Sequence, residues 1–312
     1  MGSARSEDGG GLLRYLASLF PPSPAPGTPG DPGLFGPGSQ AWRIARERAL
    51  LAAGPAALLM QLAHPLVSAG VTEHSAFSAD PLHRLRATLD ATVTVVFGDR
   101  DQARAAAARV GRRHRPVTGR TTAAVGTFPQ GTPYRANDPA LALWVHAALL
   151  WSALELVDGF VTRLRPGERT AYVREMAQFG RLFGVPEEVQ LRAWDDLDAY
   201  VRAMVDGGTV AVGPQARALA QEILTGASAG LRPPLDAVVR AAARVLAAGL
   251  LPPRLRAAYG LAWGRRERGA FAAVRLATRL ALPLVPPHLR YWPHHEVARR
   301  RLRDGSPRPE EP

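Results

Sequence analysis

Residues 141–151 have the sequence Leu-Ala-Leu-Trp-Val-His-Ala-Ala-Leu-Leu-Trp, and this stretch decides the fold class. It contains no charged residue, and apolar side chains surround the helix axis at every position except that of His146. A helix that is apolar nearly all round has to be covered by other elements on all sides. The longer segment 138–164 begins with Asp138 and Pro139, which favour the N-cap and the first turn of a helix. We therefore predict a central, buried helix over 138–164.

The segments on either side of this helix also have helical patterns, and proline and glycine separate them. Strand signals are nearly absent, and residues 118–135 are predicted as the one long loop of the core region. This pattern predicts an all-α fold with a single multi-helix domain. The predicted helices cover residues 41–53, 55–70, 81–97, 99–114, 138–164, 168–184, 187–205, 214–227, 234–249, 253–281 and 286–303.

Composition divides the chain into one domain and two tails. Residues 21–40 are rich in proline, glycine and serine, so residues 1–40 are predicted as an N-terminal tail and linker. Residues 304–312 are predicted as a second, disordered tail. The helical domain then covers 41–303, which is long enough to bury a large cofactor in its core.

The chain has 312 residues and no cysteine, which limits the metal chemistry. Disulfides, iron–sulfur clusters, thiolate zinc sites and thiolate-ligated haem are all excluded. A transition metal or a haem iron would have to be held by histidine, carboxylate or another oxygen ligand.

The formal net charge is +12, and every basic side chain that contributes to it is arginine. A strongly basic chain suggests nucleic acid or an anionic membrane surface as a partner. The arginines are spread over nearly every segment, which argues against a nucleic-acid site. No secretory signal is visible, and the apolar runs are short or interrupted by arginine. The expected location is the cytoplasm, with peripheral membrane contact left open.

Three histidines lie in apolar surroundings. His114 closes a stripe of apolar residues on the predicted helix 99–114, His146 lies inside the central helix, and His64 directly precedes Pro65. Each is either a core histidine bonded to a backbone carbonyl or a nitrogen ligand to a metal or haem iron. A core histidine is the commoner case for each residue alone, but several such histidines in a chain without cysteine make a nitrogen-ligated metal or haem more plausible than usual.

Two polar residues lie at the edge of the apolar stripe on the predicted helix 81–97. Arg84 and Thr88 are four residues apart and share one face. They are either solvated or directed into a cavity, where they could bond to dioxygen or a carboxylate. Other enzyme motifs are missing, since the chain has no Gly-rich phosphate loop and no His-Glu-x-x-His motif. Glu73 and His74 are neighbours in the sequence, but one carboxylate and one histidine alone do not make a metal site.

A longer pattern resembles the opening signature of the MpaB/rubber-oxygenase (latex-clearing protein) family. It begins with residues 54–77, Gly-Pro-Ala-Ala-Leu-Leu-Met-Gln-Leu-Ala-His-Pro-Leu-Val-Ser-Ala-Gly-Val-Thr-Glu-His-Ser-Ala-Phe, and continues with Asp80 to Thr88. The resemblance extends over residues 41–300 and is loose in the last hundred residues. Further similar blocks are Phe97-Gly98, Arg109 to His114, Tyr134 to Pro139, Leu143 to His146, Glu175 to Pro186 and Leu255 to Trp263.

The resemblance implies a globin-like helical core around a haem b pocket, and a reaction in which dioxygen cleaves or oxidises isoprenoid double bonds. By position it implies that His114 is the iron ligand and that Arg84 and Thr88 lie on the distal side. On this hypothesis His64 and His146 would either support the cofactor from nearby or be packing residues. Rubber-cleaving relatives carry a lysine directly before the threonine, and here that residue is Ala87.

The function expected from the sequence is a haem b-dependent oxygenase. Its partners would be dioxygen and a hydrophobic, unsaturated small molecule of isoprenoid or lipid-like type. The alternative is a non-catalytic haem-binding or lipid-binding helical protein, since a fold does not determine a function. A third alternative is a basic membrane-surface protein without a cofactor. The sequence does not determine the oligomeric state.

Overall fold

The structure is a computed structural model that describes residues 20–22, 24–74, 81–226, 231 and 233–305, without the side chains of residues 81–85. Within these residues the chain forms 14 helices and two short strands, which confirms the predicted all-α, single-domain fold. The globin-like arrangement of the helices stays a prediction.

The helices follow one another with short connections, and three 3₁₀ turns and one π turn lie between them. The α-helices are α1 Gln40–Ala45, α2 Gly54–Leu62, α3 Pro65–His74, α4 Pro81–Phe97, α5 Arg100–His114, α6 Pro139–Leu156, α7 Pro166–Leu182, α8 Trp194–Asp206, α9 Pro214–Gly226, α10 Leu235–Leu250, α11 Pro253–Ala258, α12 Arg265–Ala281, α13 Pro287–Arg290 and α14 Pro293–Asp304. The 3₁₀ turns are Arg48–Ala53, Glu187–Val189 and Leu282–Leu284, and the π turn is Val157–Val161.

Helix α6 is the centre of the core, as its sequence predicts. It packs against α2, α7 and α8, and the Trp144 indole Nε1 donates to the Met60 carbonyl of α2 at 3.1 Å. Together with the π turn, α6 is long and apolar enough to cross a membrane. However, 61% of its most apolar window is buried inside the protein, which is the pattern of a core helix.

The predicted helix 55–70 is two helices in the structure. The segment Arg48–Leu62 and the helix Pro65–His74 meet at an angle of 105°. Pro65 has no backbone N–H and its ring clashes with the preceding turn, so α2 ends before it and α3 begins with it. The predicted helix 253–281 is also divided, because Gly260 adopts a φ of +66° after α11.

Helices α4 and α5 form an antiparallel hairpin with a very short turn at Gly98 and Asp99. A Cβ at Gly98 would lie 2.5 Å from the Thr94 carbonyl oxygen, so only glycine fits this turn. Asp99 caps α5, because its carboxylate accepts from the Gln102 amide at 2.7 Å. The Gln102 side chain accepts in return from the Asp99 amide at 2.9 Å, which completes a capping box.

The predicted loop 118–135 contains a small antiparallel ribbon. Strand β1, Thr118–Arg120, pairs with β2, Pro133–Arg135, with Gly119 opposite Tyr134. Each strand has only three residues, too few for a visible alternation of apolar and polar residues. The ribbon follows directly on α5 and leads into α6, so it lies at the open end of the α4–α5 hairpin.

The N-terminal segment 24–39 has no helix but packs against the domain. The Thr28 amide donates to the Asp99 carboxylate at 2.8 Å, and the Gly30 amide donates to the Arg301 carbonyl at 2.8 Å. The buried Arg301 guanidinium donates to the Phe97 carbonyl at 2.9 Å. The segment therefore joins the hairpin turn to α14. The domain boundary at residue 40 stays a prediction.

Candidate functional site

The α4–α5 hairpin brings the predicted distal residues and the predicted iron ligand to the same end. Asp90 of α4 and Arg109 of α5 form an ion pair at 3.6 Å, which fixes the register of the two helices. A helix rises by about 1.5 Å per residue, so Arg84 lies about 9 Å beyond this pair along α4. His114 lies about 7.5 Å beyond it along α5, in the same direction. The two positions therefore share the open end of the hairpin.

His114 is the last residue of α5, and its side chain is exposed. It lines a cavity of about 390 Å³ whose other walls come from the segment after α5 and the start of α6. The prediction that His114 closes a buried stripe is wrong. Ala107 is buried, Val110 is half-buried, and the last turn of α5 extends past the helices that cover this face. The exposed position is nevertheless the one that an external ligand can reach.

The two predicted distal residues differ in what the structure describes. Thr88 is exposed on α4, and its backbone carbonyl accepts from the Thr92 hydroxyl at 2.9 Å. The Arg84 side chain lies outside the described residues, although its backbone belongs to α4. The sequence-predicted roles of Arg84 and Thr88 at a distal site stay predictions.

Arginines dominate the walls around His114. Arg115 and Arg135 line its cavity, and they also line a neighbouring cavity of about 740 Å³ to which Arg120 contributes. Among the described residues none of these three guanidinium groups forms an ion pair with a carboxylate. Arg120 instead donates to the Gly131 carbonyl at 2.9 Å. Asp138 is the one carboxylate among the described residues that line the two cavities, so the walls keep a net positive charge that favours carboxylate or phosphate groups.

A buried tyrosine connects α3 to the ribbon behind these arginines. The Tyr134 hydroxyl donates to the Glu73 carboxylate, and burial together with this contact raises the pKa of Tyr134 well above its ordinary value. His74 Nε2 lies 3.0 Å from the Thr118 carbonyl oxygen. No sequence pattern indicates the Glu73–Tyr134 pair, because 61 positions separate the two residues. This pair connects β2 to α3.

His64 has a structural role at the start of α3. Its Nδ1 accepts from the Leu66 amide at 3.3 Å, and its ring packs on Phe128 with centroids 5.3 Å apart. Burial lowers the pKa of His64 to about 4, and the Asp138 carboxylate acts in the opposite direction. The ring is therefore neutral at pH 7, with its proton on Nε2. Asp138 lines the His114 cavity, so His64 lies behind one wall of it.

His146 lies deeper, between α6 and α7. Its ring stacks on Phe179 with centroids 5.8 Å apart and planes 9° apart. Burial lowers the pKa of His146 to about 4, and a hydrogen bond to the Met176 backbone partly offsets this effect. No hydrogen-bond partner of Nδ1 lies in the described part of the chain. The supporting roles predicted for His64 and His146 near a cofactor stay predictions.

The structure does not bring the three histidines together. Within the described ranges no three His, Asp or Glu side chains are close enough to hold a metal ion. A haem iron needs fewer protein ligands, and His114 is an exposed histidine at the edge of a cavity. A Cβ added at Gly111, one turn before His114, would meet no described atom within 4 Å. Within the described residues, an exposed imidazole and two arginines that form no ion pair, and that could bind two propionates, fit a haem.

One comparison with known proteins identifies a family. The sequence model described as "ER-bound oxygenase mpaB/B'/Rubber oxygenase, catalytic domain" matches residues 42–280. No curated protein and no solved structure matches the chain. The family match includes α1 to α11, most of α12, the hairpin and the His114 cavity, and it extends over well more than half of the 312 residues. The chain therefore belongs to the mpaB/rubber oxygenase family, which is a family of oxygenases.

Proposed function

We propose that this protein is a haem b-dependent oxygenase that acts on an apolar, unsaturated substrate of isoprenoid or lipid type. The observation that carries the proposal is the position of His114. It is an exposed imidazole in a cavity with two arginines that form no ion pair within the described residues, in a chain that belongs to an oxygenase family.

The residues that would hold the cofactor have different tasks. His114 would donate a ring nitrogen to the iron, and Arg115 and Arg135 would pair with the propionate carboxylates. When bound, haem b would supply an iron that binds and activates dioxygen. Gly111 keeps the α5 face beside His114 free of a side chain, which leaves room for a flat ring.

Thr88 and Arg84 would act on the side of α4. The exposed Thr88 hydroxyl can donate one hydrogen bond to a bound oxygen atom, and an arginine can stabilise negative charge there. Arginine stays protonated at ordinary pH, so Arg84 cannot accept a proton from the substrate. Since Ala87 stands where rubber-cleaving relatives have lysine, we expect little or no cleavage of polyisoprene.

The channel for an apolar substrate does not run along α6. Most side chains of this apolar helix are buried against other helices. Only the N-terminal end of α6, at Asp138 and Pro139, reaches the His114 cavity. A substrate would therefore approach along α4, where Ala87 and Leu89 are half-buried.

The visible absorption spectrum of the purified protein tests the cofactor, with His114→Ala compared with His288→Ala. Both histidines are exposed, but His288 lies on α13 and lines neither cavity. We expect the haem band in wild type and in His288→Ala, and its loss in His114→Ala. A wild-type protein without a haem band after expression with added haem would refute the proposal.

Oxygen consumption then separates an oxygenase from a haem or lipid carrier. The haem-loaded protein is incubated with unsaturated terpenoids, with unsaturated fatty acids and with rubber latex. We expect uptake with the smaller lipids and very little with latex. Efficient release of aldehyde and ketone oligomers from latex would show that the substrate part of the proposal is wrong. Haem binding without any oxygen uptake would favour the carrier.

A further inference from the structure

Helix α12 lies on the outside of the domain and is anchored by its inner face only. Phe271 packs edge-on against Phe160 at 5.1 Å and against Trp263 at 5.4 Å. The Arg279 guanidinium donates to the Asp158 carbonyl in the π turn. No side chain of α12 is fully buried. The helix is therefore firmly placed, while its outer face meets no described element.

The outer face of α12 carries leucines that point into solvent. Leu276 and Leu280 are four residues apart on one face and are 60% and 66% exposed. Leu284 and Leu289 follow in the next turn and the next short helix and are 83% and 56% exposed. The described chain has seven exposed large apolar side chains, and five lie between residues 274 and 289. We call Leu276, Leu280, Leu284 and Leu289 the leucine face.

The same helix has a strong, uncompensated positive charge. It contains five arginines and one acidic residue, Glu267. The Glu267 carboxylate accepts from the Gly264 amide at 2.7 Å, so it caps the helix. Among the described residues none of the five arginines forms an ion pair. They are Arg265, Arg266, Arg268, Arg275 and Arg279.

We propose that α12 and residues 282–289 dock onto an anionic lipid bilayer. An interfacial helix needs outward apolar side chains that enter the acyl boundary and basic side chains that meet anionic headgroups, and α12 has both. A second copy is a poorer occupant, because a symmetric contact would place these arginines opposite one another without carboxylates between them. Nucleic acid would leave the leucine face in water. The proposal does not depend on the haem or on the oxygenase reaction.

Cosedimentation of the full chain with vesicles tests the proposal. The vesicles are made of phosphatidylcholine alone or of phosphatidylcholine with phosphatidylserine. We expect binding to the anionic vesicles, weaker binding at high salt, and little binding to the neutral vesicles. Equal binding to both kinds of vesicle, or no binding to either, would overturn the proposal.

Two sets of variants test the surface itself. Leu276→Gln, Leu280→Gln and Leu284→Gln together should reduce partitioning onto anionic vesicles at least about tenfold. Arg265→Gln, Arg266→Gln and Arg275→Gln together should reduce it about tenfold to a hundredfold. The matched controls are Val189→Gln, on an exposed 3₁₀ turn, and the set Arg104→Gln, Arg174→Gln and Arg202→Gln on other helices. Equal losses in controls and variants would remove α12 from the contact.

A label at a single site keeps the proposal testable if a multiple variant fails to fold. The chain has no cysteine, so Leu284→Cys and Val189→Cys each accept one environment-sensitive fluorophore. We expect a blue shift with anionic vesicles for the label at 284 and none for the label at 189. Light scattering measures the alternative. The protein could be a dimer that the triple leucine variant converts to a monomer, while the label at 284 shows no blue shift. That result would assign the surface to a second copy and overturn the lipid proposal.

Discussion

His114 and His146 are the same residue type on neighbouring long helices, and the structure places them in opposite environments. His114 lies at the end of α5, exposed in a cavity with arginine walls. His146 lies inside α6, stacked on Phe179 and enclosed by apolar side chains. Both have apolar neighbours at helical spacing in the sequence. The difference shows that periodicity reports which face of a helix is covered, and not where along the helix the cover ends.

The two environments also predict different effects when each histidine is changed. A buried neutral imidazole such as His146 loses solvation if it becomes charged, so it contributes to stability only as long as it stays neutral. An exposed imidazole such as His114 contributes little packing, so its substitution is expected to cost little stability. The core histidine is thus expected to affect folding, and the cavity histidine to affect ligand content.

The largest effect that we expect is the loss of haem from His114→Ala, because the iron would lose the ligand that we propose for it. The helix content should hardly change, since the side chain is exposed. The measurement is the ratio of haem absorbance to protein absorbance after purification, with circular dichroism for the fold. His146→Ala should keep its haem. If His114→Ala keeps a full and unchanged haem spectrum, the assignment of His114 as the iron ligand is wrong. His64 or His146 then becomes the candidate ligand.

A smaller effect is expected from Arg84→Ala and Thr88→Ala. Haem content should stay near that of wild type, while oxygen binding or turnover should fall by about tenfold to a hundredfold, as expected for loss of a hydrogen bond to a charged partner. Stopped-flow oxygen binding and steady-state oxygen uptake measure the effect. Thr92→Ala, on the same helix one turn further along, serves as the control. Turnover equal to wild type in both variants would exclude these residues from the reaction.

The pH dependence of the free energy of unfolding tests the buried environment of His146. The pKa of His146 falls from 6.5 to about 4 in the folded protein because of burial. Between these values the unfolded chain binds the extra proton, so the free energy of unfolding decreases as the pH falls from 6.5 towards 4. The loss from His146 is on the order of 2–3 kcal/mol. Urea denaturation at several pH values measures it.

The control for this pH effect is His146→Gln, which cannot titrate. This variant is expected to be less stable at pH 7 because its packing on Phe179 is imperfect, but to have a shallower slope at acid pH. Part of the decrease in the free energy of unfolding at acid pH should remain in this variant, because three other histidines also have a pKa of about 4. They are His64, His294 and His295. An unchanged slope in His146→Gln would mean that the ring is not neutral and enclosed as the structure indicates.

The smallest effect is expected from Tyr134→Phe, which removes the hydroxyl that donates to Glu73. The loss leaves a partly solvated carboxylate without this donor and should cost about 1–2 kcal/mol of the free energy of unfolding. Urea denaturation measures it, and Tyr200→Phe is the control, because no hydrogen bond of its hydroxyl is seen in the described residues. If Tyr134→Phe also loses haem, the ribbon positions the arginine walls. If only stability falls, those walls are held by other contacts.

The sequence predicts the helices well where proline and an N-cap mark the start. Asp138 with Pro139 begins α6, and Asp99 begins α5 as its cap. It predicts the burial of His146, because a run without charged residues allows no exposed face. It fails at the 105° bend before Pro65, since a proline can kink a helix or end it, and neighbouring packing decides between the two.

The site is predictable only in part, for a related reason. That Arg84 and His114 share one end of a hairpin follows from the short turn at Gly98. The exposure of His114 and the pairing of Glu73 with Tyr134 do not follow, because they depend on the ribbon after α5. The two strands of this ribbon are joined by 12 residues, 121–132, and no local pattern fixes their contact with α3.

The hydrogen bond between the Gly30 amide and the Arg301 carbonyl has a consequence for the folding reaction. It joins residues 271 positions apart (301 − 30), and Arg301 also bonds to the hairpin turn at Phe97. Such distant segments meet only after the chain between them is compact, because closing a long disordered loop is entropically costly. This junction therefore forms late in folding. The Gly30 amide becomes a natural reporter, whose hydrogen exchange measures how often the two ends of the domain separate.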